Sequence, residues 1–449
     1  MSYRSSTLSS RVCGTPLGWV RTSLVGLVTT SVWGKESLPS APLMSLGSDS
    51  ETKRKTIAFH TPTPYLYLRI FPFVLPQHPS QHPLPLTPLP DLHHKNPLEN
   101  TSAGDLSSVK MEWKQTIESV TFSYKITRNN PSLGYELSKL TNTRVLFKII
   151  FENDIIVLQL NLRAEVEWPP TWSRNHETMK AEFTFTKREK RPWMNYGFQS
   201  MGMSTGNLRV YREYQVVSNE PLSNLIHLLV VRAKEFVQIV PIGRYVQVQL
   251  DPRRIISRSY VPVPPYLHPN DMAPNYTNNC LCLMIKKYPN GFLSPSITAL
   301  QVGQTLNLSN STGSFVIGNY DRYSVIHMLA GGTGLTVMLG IIQRALVRRS
   351  VKTINLLNFN KDEENMFYVQ QLKRVSGEKL KVTHILSQPK STWTGRRGMV
   401  SDELLNELVG TNNPEACVFI CGPPLFLQAA KTSLRDHLDW KSHQMYEFQ

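Results

Sequence analysis

The chain has 449 residues, 41% of them hydrophobic, with 49 basic against 33 acidic side chains and a formal charge of +16. That length exceeds one compact core and suits about three domains, which excludes a minimal single-domain module. The charge points to acidic partners without choosing among nucleotide phosphates, nucleic acid, anionic membrane and acidic redox proteins.

Residues 1–112 are rich in Ser, Thr and Pro, as in His82-Pro83-Leu84-Pro85-Leu86-Thr87-Pro88, and are expected to form a disordered extension. Its first 35 residues carry Arg4, Arg11, Arg21 and Lys35 and no acid, the composition of a mitochondrial or other organellar transit peptide; the alternative is a plain unstructured extension. Arg21 interrupts the apolar run 19–32, and Arg69 with several prolines interrupts 65–76, so no membrane span is expected. Over 113–200 the pattern turns to short β-rich runs at 119–127, 144–151, 154–161 and 180–187, which predict a small β-sandwich. A second all-β region, 206–320, has candidate strands at 211–218, 226–232, 245–250 and 282–287. From 321 to 449 strands and helices alternate: strands at 325–330, 353–359, 381–386 and 418–421, helices at 336–348, 363–375, 402–409 and 425–437. Such alternation predicts a doubly wound parallel sheet, so the fold class is multidomain: a sandwich, a β-barrel and an α/β domain. The five cysteines, at 13, 280, 282, 417 and 421, make no C-x-x-C pair and no zinc-spaced cluster. We read them as reduced thiols and expect no metal.

Two turns carry the chemistry. Gly331-Gly332-Thr333-Gly334-Leu335-Thr336 leaves the first predicted strand of the α/β domain and enters its helix. Glycines there let backbone approach a phosphate, and a helix N-terminus adds amide donors. Cys421-Gly422-Pro423-Pro424 again lies between strand and helix, a rigid turn with little bulk that leaves room for a flat ring. In the barrel region the segments Arg258-Ser259-Tyr260-Val261, Ile285-Lys286-Lys287-Tyr288 and Gly291-Phe292-Leu293-Ser294 follow in that order.

Together these segments resemble the cytochrome b5 reductases, a family of ferredoxin-reductase-like flavoproteins. The run Glu182-Phe183-Thr184-Phe185-Thr186-Lys187 with Lys190-Arg191-Pro192-Trp193 is similar to the end of a CS domain, a co-chaperone-type sandwich that binds partner proteins. The combination resembles those family members that fuse a cytochrome b5 domain, a CS domain and a reductase. The resemblance implies FAD in the barrel on Arg258, Ser259, Tyr260, Val261, Lys286, Tyr288, Gly291, Phe292, Leu293 and Ser294. Arg258 would face the pyrophosphate with a planar fork, and Tyr260 would lie against the flavin. It implies NADH, or less selectively NADPH, on Gly331, Gly332, Thr333, Gly334 and Thr336, with the nicotinamide near Cys421, Gly422, Pro423 and Pro424. Tyr260 and Cys421 are the expected catalytic positions.

Four departures qualify what the resemblance implies. The haem motif His-Pro-Gly-Gly is absent, so no haem is expected. Val261 stands where the family has Thr or Ser and lacks its hydroxyl; Val337 stands where it has Pro, which would loosen the helix start. Asn365 occupies the place of an acid that helps to select NADH by repelling a 2′-phosphate. The implied activity is that of an NAD(P)H-dependent diaphorase, passing electrons from nicotinamide through flavin to a haem protein such as cytochrome b5 or another one-electron acceptor. The implied place is the cytosolic face of the endoplasmic reticulum. A rival reading is a CS-type interaction module on a reductase body whose flavin chemistry has decayed. Nucleic acid is not an expected partner, since cofactor phosphates, an acidic redox partner and the basic extension account for the charge.

Overall fold

The computed structural model describes residues 109–448, apart from short stretches at 127–132, 152–153, 176, 179, 205–208, 252, 254–255 and 269–275. The Ser/Thr/Pro-rich extension, with its transit-peptide composition, lies outside the described residues as far as 108. The sandwich contains β1 (Val109–Gln115), β2 (Ser119–Ile126), β3 (Leu133–Lys139), β4 (Arg144–Phe151), β5 (Asp154–Leu162), β6 (Thr171–Asn175), β7 (Lys180–Thr186) and β8 (Gly197–Ser204). Strand β1 begins ahead of position 113, where the sandwich was expected to start.

Alternation builds the sandwich. In β7, residues 180–185 alternate between partly buried and buried, with Ala181, Phe183 and Phe185 turned inward and Thr186 exposed. Across from them Tyr124 stacks on Phe147 at 4.6 Å, and Phe147 meets Phe183 edge-on at 4.8 Å. Trp193 is buried, closing this core beside Lys187, whose Nζ donates to Gln115 Oε1 and to the carbonyls of Thr116 and Arg191.

The next region contains β9 (Tyr211–Pro221), β10 (Ile226–Arg232), β11 (Phe236–Ile239), β12 (Val246–Gln249), β13 (Arg258–Tyr260), β14 (Pro262–Val263), β15 (Cys280–Lys286), the short helix α1 (Ser294–Thr298) and β16 (Thr305–Ser309). Its seven-stranded antiparallel sheet runs β13-β12-β16-β9-β10-β15-β14. The two edge strands are separated in the chain by Val261 alone, and residues so close in sequence lie no more than about 7 Å apart. The sheet must therefore curl until its edges meet, and that closure makes it a barrel, with Val261 at the seam. Strand β11 does not join this sheet. It pairs with β3 in a five-stranded sheet ordered β11-β3-β4-β5-β8, and so stitches the sandwich to the barrel. The other sandwich sheet is β1-β2-β7-β6.

The last domain contains β17 (Val325–Gly331), α2 (Leu335–Val347), β18 (Thr353–Asn360), α3 (Val369–Val375), β19 (Leu380–Leu386), β20 (Arg396–Arg397), α4 (Asp402–Leu408), β21 (Ala416–Cys421), α5 (Pro424–Thr432) and β22 (Met445–Phe448). All its strand pairs are parallel, in the order β20-β19-β18-β17-β21-β22. Strand β21 is a continuous apolar run and β17 is one broken only by the buried His327, as burial on both faces favours. One difference from the sequence reading is the segment 363–375. Asp362 caps a 3-10 turn at 363–365, the chain then drives Phe367 and Tyr368 into the core, and Tyr368 takes a left-handed conformation (φ 57°) before α3 begins. Burial of those two rings overrides the helical period.

Candidate functional site

The order of the parallel sheet fixes one feature of the site. From β17 the chain steps outward through β18 and β19 to β20, then returns to place β21 on the other side of β17. The strand order reverses between β17 and β21, and in such sheets a crevice opens at the carboxyl ends of these two strands. Ala330 is paired with Cys421 there, so the turns after Gly331 and after Cys421 leave the sheet side by side. The contact is close enough to require glycine. A Cβ on Gly334 would stand 2.1 Å from the Cys421 carbonyl oxygen, and one on Gly422 would stand 2.6 Å from Phe426 Cδ1. Gly332 adopts φ +55°, and Thr336 Oγ1 donates to the Thr333 carbonyl at 2.9 Å, tightening the turn.

Facing these turns is the barrel seam. A cleft of about 450 Å³ runs between them, lined on the barrel side by Arg258, Ser259, Tyr260, Val261, Lys286, Tyr288 and Gly291 to Ser294. On the sheet side it is lined by Thr333, Gly334, Thr336, Cys421 and Gly422. Gly331 lies just behind, packed on Phe426 and Pro423; Gly332, Pro423, Pro424 and Asn365 do not line it, and Pro424 faces a neighbouring hollow with Gly422 and Lys431. Val337, named from sequence as a departure, also lines it, and four further lining residues were not singled out from sequence: Gly243, Tyr245, Met284 and Phe448. Gly243 had a readable signal only in hindsight, a φ of +78° with Phe315 2.2 Å from where its Cβ would be. Val337 is buried on a helix that starts regularly at Leu335.

The chemistry of the walls is consistent. Arg258 and Lys286 line the cleft and no carboxylate does, so its charge suits an anion such as a diphosphate. Arg258 is exposed, and its Nη1 donates to the Ser257 carbonyl at 2.9 Å. Ser294 Oγ accepts the Tyr288 amide at 3.1 Å, and Gly291 N–H donates to the Tyr288 carbonyl at 2.8 Å, which curls 288–294 around a cradle that a Gly291 Cβ would crowd. Burial pushes the Tyr260 phenol up to about 12, with Arg258 opposing, and pushes the Cys421 thiol up to about 12. Both stay protonated at neutral pH, so Cys421 offers a small uncharged wall rather than a thiolate nucleophile. Lys286 Nζ donates to Asn365 Oδ1 at 2.7 Å, and Asn365 Nδ2 donates to Asp362 Oδ1 at 2.7 Å, a chain that ties the barrel to the sheet domain. Among the described residues no cluster of three or more His, Cys, Asp or Glu is arranged to hold a metal ion, and no helix is long and apolar enough to cross a membrane.

Comparison with known proteins agrees with this division. The profile described as Oxidoreductase FAD-binding domain matches residues 213–317, and Oxidoreductase NAD-binding domain matches 328–432. Cytochrome b5 reductase 4 of Danio rerio is 27% identical over 384 residues, covering 83% of this chain and 70% of that protein. Cytochrome b5 reductase 4 of Homo sapiens is also 27% identical, over 75% of this chain and 67% of its own length. The solved structure of the CS-b5R domains of human Ncb5or, in its NAD+ form, superimposes with a TM-score of 0.58 and 25% identity, covering 76% of this chain and 99% of that one. The cleft is basic, glycine-cradled and set between an FAD-binding and a NAD-binding domain, so it fits the two nucleotides those domains hold. By fold, domain order and similarity along most of its length, the chain is similar to the cytochrome b5 reductases, and it carries FAD- and NAD-binding oxidoreductase domains behind a sandwich like that of the CS-b5R structure.

Proposed function

We propose that the chain oxidises NADH, and less selectively NADPH, and delivers the electrons one at a time to a haem protein of the cytochrome b5 type, working at the cytosolic face of the endoplasmic reticulum. The observation that carries this reading is the single cleft in which the Arg258-x-Tyr260 segment at the barrel seam faces Gly334 and Gly422 at the switch point of the sheet. Bound there, flavin supplies the conversion between two-electron hydride transfer and one-electron release. The chain's own residues bind and orient. Arg258 would neutralise the diphosphate of FAD with Ser294 and the 288–294 cradle, and Tyr260 would hold the ring together with Ser259, Val261, Phe292 and Leu293, which line the same wall. Gly331 to Gly334 and Thr336 take the nucleotide diphosphate of the coenzyme. Cys421, Gly422, Pro423 and Pro424 hold the nicotinamide by shape. Lys286 fixes the two lobes through Asn365. No proton has to be moved by a side chain for hydride transfer, which accords with the protonated state of Tyr260 and Cys421. The sandwich is proposed as the docking module for a protein partner.

The test is flavin retention. Arg258→Ala removes a charge-assisted contact worth roughly 1.5–3 kcal/mol, so FAD affinity should fall by about one to two decades. Unchanged retention after dialysis would make Arg258 a surface charge. Folded but colourless wild-type protein would favour the rival reading, for which Val261 and Val337 in the cleft wall are the structural motive.

A further inference from the structure

A second cavity, of about 120 Å³, lies where sandwich, barrel and sheet domain meet. Its walls come from all three: Trp172 and Arg174 of β6, Pro241 and Tyr276 of the barrel region, and Gly340 of α2, while Gly243, Val261 and Val337 form a partition shared with the main cleft. The volume is on the order of the ~150 Å³ that holds a benzene ring in an apolar protein core. The walls are mostly apolar, with Trp172, Tyr276 and the amides of Gln238 and Gln343 among them, and no carboxylate lines them among the described residues.

Arg174 carries the one formal charge among the described lining residues. Its Nη1 donates to the Leu133 carbonyl at 3.0 Å, but its Nε is buried without a hydrogen-bond partner, and among the described residues no carboxylate forms an ion pair with it. Arg344, the arginine that acts on it electrostatically, already shares Asp321 with Arg348. A water molecule would satisfy Nε and leave the charge uncompensated, whereas a carboxylate would satisfy both. An apolar chamber with one uncompensated guanidinium therefore matches a ligand with a flat or compact apolar body and one negative charge.

We propose that this junction is a binding site for a small aromatic or compact aliphatic monocarboxylate, held by Arg174 in a half-open hollow lined by the three domains. It is separate from the nucleotide cleft and does not rest on the assignment of FAD to that cleft.

Sodium benzoate and its neutral isostere benzamide are the probes, titrated by calorimetry into the full chain saturated with FAD and NAD+. Benzoate should bind at one site per chain, at least about tenfold tighter than benzamide, since only the anion forms the charge-assisted pair. Arg174→Gln should abolish that preference. A second variant guards against misfolding: in Gly340→Ala the added methyl would rest 3.7 Å from Ile242, an ordinary contact, and alanine favours the helix. It narrows the chamber, so benzoate should bind at least about threefold more weakly while the thermal midpoint is kept or raised. Equal affinity for benzoate and benzamide, wild-type benzoate binding in Arg174→Gln, or no binding by the wild type at about 10 mM benzoate would each overturn the proposal. Binding seen only when FAD and NAD+ are withheld would move the probe to the main cleft and overturn it as well.

Discussion

Gly334→Ala tests the claim that the two turns touch through backbone. The new Cβ would be 2.1 Å from the Cys421 carbonyl oxygen and 2.5 Å from its carbon, where ordinary contact begins near 3.4 Å. Something must therefore retreat by about 1.3 Å, the difference between 3.4 and 2.1 Å. Neither partner is the end of a flexible side chain, so the movement separates the ends of β17 and β21. Overpacking in a filled site costs about 1–3 kcal/mol, and a rigid neighbour puts this case at the upper end. The effect on turnover should be larger than the effect on stability, because a misplacement of about 1 Å costs on the order of 10²-fold in a positioned reaction. Gly332→Ala is the matched control: nothing lies within 4 Å of its Cβ, and its φ of +55° costs only about 1 kcal/mol. Urea denaturation gives the stability difference, and NADH oxidation with ferricyanide as one-electron acceptor gives kcat/KM. If Gly334→Ala is no worse than Gly332→Ala in both measurements, the turns do not meet as described.

Other changes follow from the same geometry. Burial raises the Cys421 thiol, so it keeps its proton from about pH 6 to 9; Cys421→Ala should leave the shape of the pH profile unchanged over that range, and an ionisation near pH 8 seen in the wild type alone would refute this. Val261→Thr restores a hydroxyl at the barrel seam worth about 0.5–1.5 kcal/mol, and stopped-flow reduction of flavin by NADH should quicken by up to about tenfold. A slower reaction would mark the valine as an adaptation. Asn365→Asp adds a negative charge at a buried position between Lys286 and Asp362, and should raise the NADH over NADPH ratio of kcat/KM by about fivefold, on the order of 1 kcal/mol, since the Lys286 ammonium offsets much of the added charge. An unchanged ratio would show that the ribose lies elsewhere.

The sheet domain was legible because its two central strands, β17 and β21, are buried on both faces and are written as largely apolar runs, each running into a glycine turn. The residues of the cleft were legible for a related reason: close backbone approach leaves no choice but glycine, and Gly291, Gly334 and Gly422 are visible as such. What failed was non-local. Strand β11 finds its partner in β3, far back in the chain, and four residues carry no mark of which sheet they will join. Strand β3 holds a buried acid, Glu136, which disguises it; its compensation by Lys148 and Arg212, each 3.9 Å away, appears only on folding. Phe448 reaches the cleft because β22 pairs with β21, and no local pattern near the end of the chain announces it.

Two independent closures meet at the site, and this explains why its motifs are split across the sequence. The barrel can close only where β13 and β14 come together, which sets Arg258, Tyr260 and Val261 on the seam. The parallel sheet opens only where its order reverses, which sets Gly334 and Cys421 at adjacent strand ends. Neither domain alone makes a two-walled cleft. One core cluster runs from Val217 and Met284 of the barrel to Met328 and Phe419 of the sheet, so the lobes are packed as one body and the width of the cleft is fixed by that packing. Val261 and Val337 lie where the seam meets the helix, in the partition between the cleft and the junction cavity. Changing either alters two chambers at once, so two of the four departures named from sequence, Val261 and Val337, fall between the cleft and the hollow that the sandwich helps to line.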